Sequence, residues 1–400
     1  MNKNKAVVVN PPLPKNFSPE LLILHKGKGA YIEDIAGKKY LDFGAGIAVN
    51  ALGYGREDLA EIAYEQMKKL IHISNLYATE PQITLAEKLI SSGAFDAVHF
   101  GNSGSEANET AIKYARLYSK RTKGPDNYKI LCFKNAFHGR TLGALSCTPT
   151  PKYQDPFVPL IPGVEVAEFN NTQSLTGILN KSFCAVIVEV IQGEGGLDIM
   201  TTEFAGTLNL LCKKHDIILI ADEIQTGISR TGTLYASRGV GLNPDIITLA
   251  KPLAGGLPLS ATLIPGKIND LLHVGEHGTT FGGGPVTTRI ALAVWEILSD
   301  NNFIDEINKK SDFLKGLLKD LTDSFDFLGK IKGKGLLLGI EILLSDEDLL
   351  SIIKMAMRKG LLILRSGKNI IRIAPPLIIS ESELKEGCQI LREVFTEYKN

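Results

Sequence analysis

The chain has 400 residues, with 44 Lys+Arg against 44 Asp+Glu, a formal net charge of zero, 44% hydrophobic and 22% charged residues. That is the balance of an ordinary globular chain, and the missing basic excess speaks against a general nucleic-acid binder. The length allows roughly two or three domains, or one large α/β domain with an appendage.

The first residues, Met1–Phe17, hold only a short apolar run, Ala6–Val9, before Pro11, Pro12 and Pro14. That run is too short for a signal-peptide core, and no segment approaches the ~18 apolar residues of a membrane span. Gly27–Asp42 has a strand–turn–strand pattern around Gly37-Lys38-Lys39. Short continuous apolar runs then predict buried strands at Ala97–Phe100, Lys129–Phe133, Cys184–Val190, Ile217–Ala221, Asp245–Ala250 and Leu259–Ile264. Helical patterns such as Glu106–Tyr118 and Glu203–His215 lie between them. Apolar runs separated by helices predict an α/β class, with a parallel sheet covered on both faces. Beyond Pro285 the texture turns α+β. Helical patterns at Val286–Leu298, Glu347–Lys359 and Glu381–Glu397 alternate with strands at Gly335–Ile342 and Ile370–Ile373. The expected division is 1–52 and 286–400 in a smaller domain, with 53–285 as the large one. Five cysteines, Cys132, Cys147, Cys184, Cys212 and Cys388, are odd in number and widely spaced. They predict buried thiols in a reducing cytoplasm rather than disulfides or a metal site.

Three features carry chemistry. Gly101-Asn102-Ser103-Gly104-Ser105-Glu106-Ala107-Asn108 joins a predicted strand to a helix. Small residues there let a backbone approach a ligand, and a helix start offers free N–H groups to an anion such as phosphate. The plainer reading is a turn in which Ser103 or Ser105 caps the helix. Second, Asp222-Glu223 follows a buried strand, at the carboxyl end of the sheet where ligands of α/β folds bind. A carboxylate buried there needs a cationic partner, the plainer readings being a helix-capping Asp or a magnesium ligand of a nucleotide enzyme, the latter weakened because no P-loop is present. Third, Lys251 ends another buried strand and precedes the small-residue run Ala254-Gly255-Gly256. Desolvation or nearby positive charge at such a place can favour the neutral, nucleophilic amine that a Schiff base requires, the plainer reading being a snorkelling surface lysine. A phosphate cradle, a buried aspartate and a strand-end lysine together suit pyridoxal 5'-phosphate.

With these residues in place, the sequence resembles the class III pyridoxal-phosphate aminotransferases of fold type I, and within them the acetylornithine-type branch. The resemblance runs from about Gly27 to Ile379. It includes Tyr40-Leu41-Asp42-Phe43, His72-Ile73-Ser74-Asn75-Leu76, Phe137-His138-Gly139-Arg140-Thr141, Gln192-Gly193-Glu194-Gly195-Gly196, His277-Gly278-Thr279-Thr280-Phe281-Gly282-Gly283 and Arg372-Ile373-Ala374-Pro375-Pro376-Leu377. The resemblance implies a large domain with a mostly parallel sheet flanked by helices, plus a smaller α+β domain. It implies Lys251 as Schiff-base lysine and proton shuttle, Asp222 against the pyridine nitrogen and Gln225 against the 3-hydroxyl. Phe137 and Ile224 would enclose the ring, and Gly104 and Ser105 would hold the phosphate. Thr280 would reach the phosphate of a neighbouring subunit, in a homodimer with shared sites. Arg140 would clamp a substrate carboxylate, helped by Thr279, while Glu194 and Arg372 form a switchable pair for two dissimilar substrates.

The activity so implied is transamination of N2-acetylornithine with 2-oxoglutarate to give glutamate, in arginine biosynthesis in the cytoplasm. Its partners are small molecules, with no nucleic acid, membrane or metal. Ornithine, succinylornithine or 4-aminobutyrate are alternative donors, and a mutase or a non-catalytic interaction protein on the same fold are further readings. His138 and His277 are expected to be structural. The sequence departs from the family pattern at Tyr54-Gly55-Arg56-Glu57, Ala78, Val190 and Gly284. None of these is an expected cofactor ligand.

Overall fold

The apolar runs become the strands of one seven-stranded sheet in a computed structural model, which describes residues 21–399 together with Val8, Val9, Pro14 and Asn16. Most of the Met1–Phe17 stretch therefore lies outside the described residues. The sheet strands are β1 (Ala97–Gly101), β2 (Lys129–Phe133), β3 (Val164–Ala167), β4 (Phe183–Glu189), β5 (Ile218–Asp222), β6 (Ile246–Leu249) and β7 (Ser260–Ile264). Their order is β1-β7-β6-β5-β4-β2-β3. Only β7 runs antiparallel to its neighbours. β2, β4, β5 and β6 pair in parallel, and every residue of β4 and β5 is buried. The α/β class with a mostly parallel sheet is thus borne out, because runs such as Phe183–Glu189 have no polar face to turn outward.

β3 has no counterpart among the predicted strands. Its sequence, Val-Glu-Val-Ala, is short and interrupted by an acid, as suits an edge strand with one open side. Helix α1, Gly104–Lys123, is longer at both ends than the expected Glu106–Tyr118. It packs Ala111, Ile112, Tyr114, Ala115 and Tyr118 into a cluster with Ile130, Cys132, Ile187, Ile218, Ile220 and Ile246 of the sheet. All five cysteines are buried and free. No described helix is long and apolar enough to cross a membrane.

The chain divides into two compact units, Leu59–Glu306, and Met1–Asp58 with Ile307–Asn400. The sheet above belongs to the first. In the second, strands Leu328–Lys334, Leu337–Ile342, Ile370–Ile373 and Leu364–Ser366 form an antiparallel sheet in that order. Strands Leu24–Lys28, Tyr31–Asp34 and Lys39–Asp42 form another, completed by Leu361–Leu362 parallel to Lys39–Asp42. Ser345 and Asp348 make a reciprocal capping box that starts the helix Asp346–Arg358.

Candidate active site

The strand-to-helix turn after β1 is built for close approach. Ser103 is the N-cap of α1, its hydroxyl accepting from Glu106 N at 3.3 Å. Glu106 reaches back and accepts from the Asn102 backbone N–H at 2.7 Å. Ser103 therefore takes the capping role, and Ser105 stands in the first turn with its hydroxyl accepting from Arg140 N at 3.1 Å. A Cβ on Gly104 would lie 2.8 Å from Ile224 Cδ1, so glycine lets Ile224 lie directly on the helix start. Gly139 has φ +140°, and a Cβ there would collide with the Ser105 hydroxyl. The Phe137–Arg140 loop thus lies on the first turn of a 20-residue helix whose leading N–H groups and dipole favour an anion.

Asp222 closes β5 and is buried. Its Oδ2 accepts from His138 Nδ1 at 2.7 Å and from Asn108 Nδ2 at 2.8 Å, and its Oδ1 accepts from Ile224 N at 3.1 Å. Asn108 is itself fixed, donating to the His138 carbonyl at 2.7 Å and accepting from Thr248 Oγ1 at 2.9 Å. His138 is buried, with Nε2 lacking a hydrogen-bond partner among the described residues. Asp222 therefore sets the orientation of the imidazole. Burial pushes the His138 pKa down, but the hydrogen bond and charge of Asp222, with Glu189 behind it, outweigh this and leave it raised.

Glu189 pairs in register with Asp222 across β4 and β5. Its carboxylate bridges two loops, accepting from Phe137 N at 2.9 Å and Gly193 N at 3.1 Å. Burial raises its pKa, the charge of His138 opposes, and Asp222 adds to the rise. Glu189, Asn108 and Thr248 were not among the expected site residues. The signal for Glu189 was available: it is a lone carboxyl group inside the otherwise apolar run Cys184–Ile191.

Lys251 is half-buried and follows β6, the parallel neighbour of β5, so Lys251 and Asp222 stand at adjacent carboxyl ends. Gln225 is buried on the turn after β5. A Cβ on Gly193 would come 2.6 Å from the Gln225 side-chain carbon, which places the Gly193-Glu194 turn against Gln225. Glu194 is half-buried there.

Arg140 differs in kind. It is exposed, and among the described residues no ion pair involves its guanidinium. Aromatic faces hold it instead. Its Cζ stands 3.7 Å from the centre of the Tyr153 ring and 5.5 Å from that of Phe137. Phe137 is half-buried, as suits a ring covering a ligand.

Thr279 and Thr280 lie on the loop between residues 277 and 284. Asn75 Nδ2 donates to the carbonyls of Thr279 and Gly282 at 2.9 and 3.0 Å, and Asn102 Nδ2 donates to Thr279 Oγ1 at 3.3 Å. His277 anchors the loop to α1. Its Nδ1 accepts from Lys113 Nζ at 2.7 Å, so Nε2 carries the proton and donates to Thr110 Oγ1 at 3.0 Å. Burial and Lys113 lower its pKa, which suits a neutral ring. Thr280 is exposed at the outside of this loop. Arg372 belongs to the other compact unit, buried in the strand Ile370–Ile373 and paired in register with Gly339 and Leu364.

The residues around β5 and β6 fit pyridoxal phosphate on their own chemistry. There is a helix start whose glycine a Cβ would fill, a buried carboxylate with a spare lone pair on Oδ1, and a lysine at the neighbouring strand end. A family model described as aminotransferase class-III matches residues 13–395. The chain is 43% identical over 378 residues to a probable mitochondrial acetylornithine aminotransferase of Dictyostelium discoideum, covering 93% of this chain and 83% of that protein. It is 42% identical over 372 residues to an acetylornithine/succinyldiaminopimelate aminotransferase of Buchnera aphidicola, covering 93% and 92%. The crystal structure of the Toxoplasma gondii ornithine aminotransferase superposes with a TM-score of 0.91 at 28% identity, covering 97% and 93%.

Proposed function

The chain belongs to the class-III aminotransferases, and from that premise we propose that it transfers the δ-amino group of N2-acetyl-L-ornithine to 2-oxoglutarate, giving glutamate. The observation that carries the donor assignment is Arg140: an exposed cation held on two aromatic rings, with no carboxylate partner among the described residues. N2-acetylornithine carries a carboxylate four carbons from the nitrogen that reacts.

Pyridoxal phosphate, when bound, supplies an electron sink for the pair released at the carbon bearing the substrate amine. Gly104 and Ser105 bind its phosphate through the helix start. Asp222 holds the proton on the ring nitrogen, and its own position is fixed by His138 and Asn108. Phe137 and Ile224 enclose the ring, and Gln225 orients its hydroxyl. Lys251 Nζ would hold the cofactor through its aldehyde carbon and would serve as the base that moves the proton from the substrate carbon. Arg140 orients the donor by a two-pronged bond to its carboxylate, with Thr279 beside it. By the family pattern, Arg372 would take the second carboxylate of 2-oxoglutarate or glutamate, and Glu194 would balance its charge while the donor is bound.

A homodimer is part of this reading. Tyr64, Met67, Ile71, Leu76, Tyr77 and Phe281 are exposed, Leu76 at 84% and Tyr77 at 72%, and the His72 and Phe281 rings lie 5.4 Å apart. That apolar face adjoins the Thr280 loop, as expected if Thr280 serves the phosphate of a second copy. Five free thiols suit a reducing compartment, and we place the enzyme in the cytoplasm.

The test is a half-reaction panel on the cofactor-loaded enzyme, with acetylornithine, ornithine, succinylornithine, 4-aminobutyrate and succinyldiaminopimelate as donors. Acetylornithine is expected to be fastest by at least about tenfold, or 1.4 kcal/mol in the transition state. Succinyldiaminopimelate is the second reading, favoured by the name of the Buchnera relative. If any other donor leads by tenfold, the acetylornithine assignment fails.

A further inference from the structure

Arg140 needs help to be selective. An exposed arginine loses rotamer freedom when it fixes a ligand. Tyr153 removes much of that freedom in advance. The guanidinium carbon lies 3.7 Å from its ring centre, a cation–π contact, and among the described residues the guanidinium N–H groups have no hydrogen-bond acceptor, which leaves them for a carboxylate. Tyr153 is fixed in turn. Its ring meets Phe137 edge-on, with centres 6.3 Å apart at 84°. Its N–H donates to Thr150 O at 2.8 Å, and the next residue, Gln154, donates from Nε2 to the carbonyls of Leu145 and Ser146 at 2.9 and 3.2 Å. Thr148 ties this segment to the Arg140 loop, its hydroxyl accepting from His138 N at 2.9 Å.

We propose that Tyr153 is a positioning residue that sets the plane of the Arg140 guanidinium, so that donors with a carboxylate remote from the reacting amine are selected. The proposal rests on the reading of Arg140 as the carboxylate anchor. Phe137 meets Tyr153 edge-on and Arg140 lies over both rings, so the three side chains form one contact chain. Ring contacts rather than a flexible side chain alone thereby set where Arg140 meets a carboxylate.

The experiment compares Tyr153→Phe, Tyr153→Leu and Arg140→Lys in the cofactor-loaded enzyme. Half-reaction kinetics are measured with acetylornithine and with n-pentylamine, which has no carboxylate. Binding of N-acetyl-L-norvaline, which has the carboxylate but no reacting amine, is measured by titration. Tyr153→Leu should raise the acetylornithine KM and the norvaline-derivative Kd about tenfold, with kcat changed less than threefold and n-pentylamine unaffected. Tyr153→Phe, which keeps the ring face, should stay within twofold of the parent. Equal losses for both amines in Tyr153→Leu mean a structural role and overturn the proposal. So does an unchanged KM, or a Tyr153→Phe defect as large as that of Tyr153→Leu. If Arg140→Lys leaves the acetylornithine KM and the Kd unchanged, the anchor reading itself falls. If Arg140→Lys raises both and Tyr153→Leu does not, only the role of Tyr153 is lost.

Discussion

The floor of the site and its rim handle charge in opposite ways. At the floor, Asp222, His138 and Glu189 are buried, and each charge is answered within the chain by an imidazole, an amide or a backbone N–H. At the rim, Arg140 is exposed, lies on two rings, and has no ion-pair partner among the described residues. A buried charge without a partner is too costly to keep, so the floor is organised before any ligand arrives. An exposed charge is solvated by water, so the rim can stay open for a substrate carboxylate. On the proposed function, one region would supply preorganised chemistry and the other recognition. Substitutions should therefore separate into those that damage folding and chemistry together and those that change only substrate preference.

The largest effect is expected from Asp222→Asn. Breaking the buried pair with His138 should cost about 3–5 kcal/mol of stability. Losing the carboxylate should lower turnover by on the order of 10²–10³-fold. Thermal melts and single-turnover rates check this, and a stable, active Asp222→Asn enzyme would break the contrast at its strongest point. Next comes Gly139→Ala, where floor and rim meet. The φ of +140° and the collision with Ser105 should cost about 1–3 kcal/mol. The cofactor should also dissociate faster, as read by gel filtration and the absorbance retained.

Glu189→Gln tests the floor through pH. Glu189 and His138 both have raised folded pKa values, so the folded chain holds more protons and stability falls as pH rises. For Glu189 the loss runs from the ordinary carboxyl value of about 4.3 up to its raised value, and for His138 from about 6.5 upward. The parent should therefore melt at a higher temperature at pH 5.5 than at pH 8, and Glu189→Gln should narrow that gap. An unchanged slope would remove Glu189 from the coupling. The smallest effect on the fold should come from Arg140→Gln. Its stability should stay within about 1 kcal/mol of the parent, since only an exposed ring contact is lost. Its acetylornithine KM should rise all the same, which the half-reaction assay reads. A large drop in melting temperature would make Arg140 part of the floor.

The sequence was legible wherever one residue's surroundings are set by its neighbours along the chain. Phe183–Glu189 and Ile218–Asp222 are too apolar to be anything but buried strands, and a parallel sheet places whatever follows them at one edge. That logic brings Asp222 and Lys251 to adjacent strand ends, and makes the small residues before α1 a helix start. It was silent on β3, whose edge position leaves little apolar signature.

Tertiary structure decided what no local pattern encodes. The register of β4 against β5 sets Glu189 opposite Asp222, and the loop after β2 brings His138 onto the same carboxylate. Asn108, four residues inside α1, becomes its third support. Tyr153 stands over Arg140 only because the packing brings the two segments together. These are contacts between residues 13 to 114 positions apart, and only packing selects them. A strand or a helix start follows from the covalent chain and its hydrophobic pattern. The partner of a charge depends on which distant segments the core brings together.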